Sequence, residues 1–146
     1  MNPPLTGCCD NPMEHYPDIE VYLACNDAGR ISQWLSTALE TSVTLERAGK
    51  QQWRAAPIYK GQRLPVLLVE HAADRLASLW LDSEITPWPR DADCARAASQ
   101  ALGCEVRCSL GGWQPGDDPD RFFQVLADGS EGVIHWPDAG AQEGRK

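Results

Sequence analysis

The sequence predicts an α+β fold: a tandem βαβββ repeat with a mostly antiparallel sheet and two helices. Three observations predict it. Two segments carry one apolar stripe at helical spacing, the segments between them alternate like half-buried strands, and the same order of elements occurs twice. The chain has 146 residues, which is one domain's worth. Its 42% hydrophobic and 23% charged content is that of a globular protein able to build a core without staples.

Residues 1–18 contain Pro3, Pro4, Pro12 and Pro17 and no basic side chain, so they read as a flexible N-terminal arm. Residues 139–146 read as a flexible tail. Between them, residues 19–138 form a single α+β domain of two half-repeats, 19–71 and 77–137.

The first half opens on Glu20 to Cys25, a strand by its β-branched and aromatic content. Asn26 or Asp27 then caps a helix, because a short side-chain oxygen accepts the open N–H groups of a first turn. Inside it, Ile31, Trp34, Leu35, Ala38 and Leu39 form one stripe, which sets the helix at Arg30–Leu39. Ser42 to Glu46 alternates as a strand. Trp53 to Tyr59 is the next strand, interrupted by Pro57, and Lys60-Gly61 turns the chain into the apolar run Leu64 to Val69.

The second half repeats this order. Ser78 to Asp82 is a strand and Thr86-Pro87-Trp88-Pro89 a stiff loop. Asp91 starts a helix with Cys94, Ala98, Ala101 and Leu102 inward and Gly103 as its stop. Cys104 to Cys108 alternates as a strand, and Gly111-Gly112-Trp113 leads into a polar loop. Arg121 to Leu126 and Gly132 to Trp136 then pair across Asp128-Gly129, expected as a type I′ turn with both residues at positive φ.

Charge narrows the partners. The net charge is -8, a sign that repels phosphate backbones and argues against nucleic-acid binding. It is unevenly spread: residues 30–63 hold Arg30, Arg47, Lys50, Arg54, Lys60 and Arg63 against Glu40 and Glu46, so the remainder is more acidic than the whole. An acidic surface can be a solvated face, or it can meet a cationic protein partner. No stretch approaches the roughly 18 apolar residues of a membrane span.

The cysteines are Cys8, Cys9, Cys25, Cys94, Cys104 and Cys108. Leu5-Thr6-Gly7-Cys8 spells a lipobox-like string, but no basic start and apolar run precede it, so the expected compartment is the cytoplasm with reduced thiols. Cys25, Cys104 and Cys108 read as core residues. On one strand, Cys104 and Cys108 stand about 13 Å apart and cannot bond each other.

The chemistry-bearing candidates are few. With His15, His71 and His135 as the histidines, no nucleophile elbow or phosphate-binding loop is present. The expected catalytic set is therefore empty. Trp88 and Trp113 lie on loops near Asp117, Asp118 and Asp120, where aromatics and carboxylates together could line a ligand pocket or an interface. Asp117 to Asp120 lacks the spacing of a calcium loop.

Two βαβββ units in a core of this size resemble the vicinal oxygen chelate superfamily, which includes glyoxalases, extradiol dioxygenases and antibiotic-resistance binding proteins. A paired ferredoxin-like arrangement would produce the same string. The resemblance covers residues 19–137 and is one of element order. It implies a cup between the half-repeats, where Glu70, Asp82 and His135, with Cys25 or Asn26 nearby, would hold a divalent metal or a small molecule. The competing expectation is a non-catalytic binding or interaction module, which needs a stable scaffold, loop aromatics and an acidic face.

Overall fold

The computed structural model describes residues 16–110 and 120–136. The described chain is an α+β protein with two helices and a large antiparallel sheet. Its elements are β1 (Ile19–Leu23), α1 (Ala28–Leu39), β2 (Glu46–Arg47), β3 (Gln52–Ala55), β4 (Ile58–Tyr59), β5 (Gln62–Arg63), β6 (Val66–Ala73), β7 (Leu76–Leu81), α2 (Asp91–Leu102), β8 (Val106–Ser109), β9 (Arg121–Val125) and β10 (Glu131–His135). Eight strands form one sheet in the order β10-β9-β8-β1-β7-β6-β3-β2, and β4 with β5 makes a separate hairpin.

Both helices form where the apolar stripe predicts them. In α1 the Asp27 carboxylate caps the first turn, accepting from the Gly29 and Arg30 N–H groups at 3.0 and 3.2 Å. Ile31, Trp34, Leu35 and Leu39 are buried from this helix. In α2 the inward face is Cys94, Ala95, Ala98, Ser99 and Leu102, and Gly103 ends the helix at a φ of 65°. Ala101, expected inward, is exposed, and Ser99 takes the inner position with its hydroxyl bonded to the Leu126 carbonyl at 3.1 Å.

The helices cover one face of the sheet, packing on Ile19, Val21, Leu23, Val66, Leu68, Leu79, Leu81 and Val106. The other face carries a smaller cluster of Tyr22, Ala73, Leu76, Phe122 and Trp136. Its aromatic rings meet edge to face, Tyr22 and Phe122 lying 5.2 and 5.1 Å from Trp136. The Arg107 guanidinium lies 4.5 Å above the Trp136 ring.

Three local expectations are corrected. Residues 42–45 bury Val43 and Leu45 in alternation without forming a strand. Serines of α1 take their backbone N–H groups instead: Val43 donates to Ser36 Oγ at 2.9 Å and Leu45 to Ser32 Oγ at 3.0 Å. Trp53 to Tyr59 is split around Pro57 into β3 and β4, which lie in different sheets. The β9–β10 hairpin pairs as expected, Arg121 with His135 and Val125 with Glu131. Its turn differs: Gly129 has a φ of 93° but Asp128 is not at positive φ. The Gly129 N–H bonds the Leu126 carbonyl and the Leu126 N–H the Ser130 carbonyl, so three residues close the loop with a glycine bulge. The two-residue turn with both φ positive occurs at Asp74-Arg75, between β6 and β7, with φ of 49° and 69°.

The two halves expected from sequence differ in the structure: the first carries the additional β4–β5 hairpin, and they take unlike places in the sheet. Outward from the central β1–β7 pair, the first half runs β6, β3, β2 and the second half β8, β9, β10. One side thus descends the chain and the other ascends it. Residues 16–18, assigned to the arm by sequence, are tied to the domain: the Tyr16 N–H donates to the Pro89 carbonyl at 2.7 Å and Asp18 accepts from Trp80. Among the described residues, no helix is long and apolar enough to cross a membrane.

Candidate functional site

The register of the sheet decides which strand ends share a side of the molecule. Ile19 pairs with Leu81, so β1 begins where β7 ends. Tyr22 pairs with Arg107 and Phe122 with Ser109, which brings the end of β8 and the start of β9 to the same side. His135 opposite Arg121 adds the end of β10. The start of α2 joins them, because Asp91 Oδ1 accepts the Glu20 N–H at 3.1 Å. This one end therefore gathers Asp18 before β1 and Glu20 within it, Asp82 and Glu84 after β7, Asp91 and Asp93 from α2, and Asp120 before β9. Among the basic side chains, Arg90 and Arg96 each lie 3.5 Å from the Asp93 carboxylate, and Arg121 follows Asp120 at the start of β9.

Within this acidic end the side chains are held in place. Asp18 Oδ2 accepts the Trp80 indole N–H at 2.7 Å, and Glu20 Oε2 accepts the Ser78 hydroxyl at 3.1 Å. A carboxylate offers about four acceptor sites, so one such bond orients it without exhausting it. Asp120 lies 3.8 Å from the His135 imidazole. Asp93 bonds the Arg90 N–H at 3.2 Å and closes the first turn of α2. Asp91 is the perturbed group. Burial pushes its carboxyl up to about 7, opposed by the Glu20 N–H and reinforced by the negative charges of Asp18 and Glu20. Asp82 and Glu84 are exposed.

The loop that carries Asp82 and Glu84 is anchored from inside by Trp88. Its ring stacks on Trp34 of α1, centroids 5.4 Å apart and planes 28° apart. The Thr86 hydroxyl donates to the Trp88 carbonyl at 2.9 Å and accepts the Trp88 N–H at 3.2 Å. With 8% of its surface exposed, Trp88 packs in the core beneath the loop, where sequence alone placed it at a ligand site or interface. The flanking prolines disguised this, since a stiff loop need not be an outward one.

The other predicted residues divide. Asp120 belongs to the acidic end, while Trp113, Asp117 and Asp118 lie outside the described residues. Glu70, Asp82 and His135 are not brought together. Asp82 sits beside Pro65, its N–H on the Pro65 carbonyl at 2.9 Å, whereas Glu70 is five residues further along β6, about 16 Å away. His135 is on β10, four strand spacings or about 19 Å from β7. Among the described residues, no group of three or more His, Cys, Asp or Glu side chains could hold a metal ion.

Two arrangements escaped the sequence. Arg107, 16% exposed, bonds Glu105 at 2.7 Å, lies 4.0 Å from Asp74 and covers Trp136. Burial pushes Glu105 up, but the Arg107 and Gln124 hydrogen bonds outweigh it and hold its carboxyl below the usual range. Asn26 ties the β6–β7 hairpin to the end of β1, its amide donating to the Arg75 carbonyl at 3.0 Å and its oxygen accepting the His71 N–H at 2.9 Å.

No protein-family model, curated protein or solved structure matches this chain. The chemistry of the site thus rests on its own geometry.

Proposed function

We propose that the protein is a non-catalytic interaction module whose acidic sheet end docks a cationic protein surface. The observation that carries this reading is the convergence of Asp18, Glu20, Asp82, Glu84, Asp91 and Asp120 from separate strand and helix ends onto one side of the sheet. Strand and helix ends are rigid supports, so the charges meet a partner with little ordering cost. Summed carboxylates speed encounter with a cationic surface and repel phosphate backbones. The chelate-superfamily alternative, a ligand or divalent metal between two half-repeats, finds no favouring observation in the positions of Glu70, Asp82 and His135.

The test is binding of a fluorescent oligo-arginine peptide to the full chain, followed by anisotropy. A variant carrying Asp18→Asn, Asp82→Asn and Glu84→Gln should bind about tenfold more weakly, a loss equivalent to roughly 1.4 kcal/mol. A control carrying Glu46→Gln and Glu70→Gln should bind like the parent. Equal effects of the two variants, or none, would contradict the reading.

A further inference from the structure

We propose that Cys25 and Cys104 are a paired dithiol that closes reversibly to a disulfide. The two residues are opposite each other where β1 and β8 run on beyond their last paired positions. Tyr22 pairs with Arg107 and Leu23 with Val106, so the same register sets Ala24 against Glu105 and Cys25 against Cys104. The Ala24 N–H donates to the Glu105 carbonyl at 2.9 Å, which continues the ladder one step past the strands. Hydrogen-bonded and non-hydrogen-bonded pairs alternate in an antiparallel ladder. Continued in that register past the last paired residues, the ladder would set Cys25 and Cys104 at a non-hydrogen-bonded position, where Cα atoms approach to about 4.5 Å. That lies inside the range of roughly 4.4–6.8 Å that a disulfide spans.

Side-chain placement agrees with the backbone. Cys25 is part of the core under the helices and Cys104 packs against that same core, so both thiols lie on one face. The Cys25 thiol lies near enough to Cys104 for its charge to disfavour the Cys104 thiolate. Both thiols are free in this structure, which describes the reduced state. Cys104 is half-buried and Cys25 is 7% exposed, so an outside reagent meets Cys104 first. Burial holds the Cys104 thiol above its ordinary range, while the Arg30 cation, bonded at 2.8 Å to the adjacent Leu102 carbonyl, favours the thiolate.

The oxidant is a low-molecular-weight disulfide. The Cys104 thiolate attacks one of its sulfurs, the S–S bond breaks, and one small thiolate leaves and takes up a proton. The Cys25 thiol then loses its proton and attacks the Cys104 sulfur, expelling the second small thiolate. Two protein thiols are oxidised and one small disulfide is reduced to two thiols. The new bond joins the end of β1 to the turn after α2, so it ties the entry of α1 to the exit of α2. Cys94 and Cys108 differ: both are buried at the other end of α2, under the acidic end, and burial pushes both thiols up.

The experiment uses the full chain with Cys8→Ser and Cys9→Ser, so that Cys25 is the one thiol of tryptic peptide 1–30. The protein is equilibrated with oxidised glutathione, quenched and mapped by mass spectrometry. The expected product has lost two hydrogens and links peptide 1–30 to peptide 97–107, and reduction by dithiothreitol restores both thiols. Adding Cys25→Ser should trap a glutathione adduct on Cys104, and adding Cys104→Ser should leave Cys25 unmodified. A persistent adduct on Cys104 in the protein that keeps both thiols would overturn the proposal. So would a linkage through Cys94 or Cys108, or no loss of thiols at all.

Discussion

The two ends of the sheet are built on different principles. At the acidic end, the exposed Asp82 and Glu84 stand on a layer of aromatic packing, with Trp88 stacked on Trp34 beneath the Asp82–Arg90 loop, and the other carboxylates are half-buried. At the opposite end, polar side chains fasten backbone that could not hold itself. His71, Asp74 and Arg75 all have positive φ, an unfavourable conformation for side-chain-bearing residues, and Asn26 spans them with two hydrogen bonds. The difference teaches where stability and where adaptability sit. One end is a charged surface on an apolar foundation. The other is a strained hairpin beside a thiol pair, the hairpin tied to its neighbours by the Asn26 amide, the Gln51 amide and the Arg107–Asp74 pair.

This contrast is most exposed to removal of the foundation. Trp34→Ala deletes half of the stacked pair and should destabilise the protein by about 3–5 kcal/mol in urea denaturation, the usual cost of a buried aromatic. A loss below about 1 kcal/mol would show that the 82–90 loop stands without it.

The next largest effect concerns Asp91, whose carboxyl faces Asp18 just before β1, Glu20 of β1, Asp93 and Cys94 of its own helix and Cys108 of β8. Its folded value of about 7 lies above the ordinary 3.8, so the folded chain keeps a proton that the unfolded chain gives up. That stabilisation is complete below about pH 4 and is lost as the pH rises through about 7. The size is on the order of 2 kcal/mol, allowing for the solvent that reaches a partly exposed carboxyl. Urea midpoints at pH 5 and pH 8 should therefore differ by less in Asp91→Asn than in the parent. An unchanged difference would place the titration elsewhere.

At the other end the effect is smaller. Asn26→Ala removes both bonds to the hairpin and should cost about 1–2 kcal/mol, since each partly exposed bond contributes modestly. Hydrogen exchange should rise at His71 while Glu20 stays protected. Equal loosening of both ends would mean that they are not separately held.

Much of the fold was legible because the helices announce themselves by spacing. Ile31, Trp34, Leu35 and Leu39 fix α1, and Gly103 fixes the end of α2, from local physics alone. What was not legible depended on distant partners. The alternation at Val43 and Leu45 is the strand signal, but Ser32 and Ser36 satisfy that backbone instead. Positive φ was expected at Asp128 and found at Asp74-Arg75, a pair with no glycine to signal it. At the site, residue type suggested acidic docking, but only strand register could join Asp18 to Asp82 and Asp91, or Cys25 to Cys104 across 79 positions of chain.

The central claim is that the acidic end, and not the acidic chain as a whole, receives a cationic partner. Titration of the isotopically labelled protein with an unlabelled oligo-arginine peptide, followed through its backbone amide resonances, tests this most directly. The account predicts saturable shifts concentrated at Asp18 to Glu20, Asp82 to Glu84, Asp91 to Asp93 and Asp120, strengthening as the pH rises past about 7 and Asp91 ionises. Shifts centred on the β6–β7 hairpin, or spread evenly over every carboxylate, would contradict it.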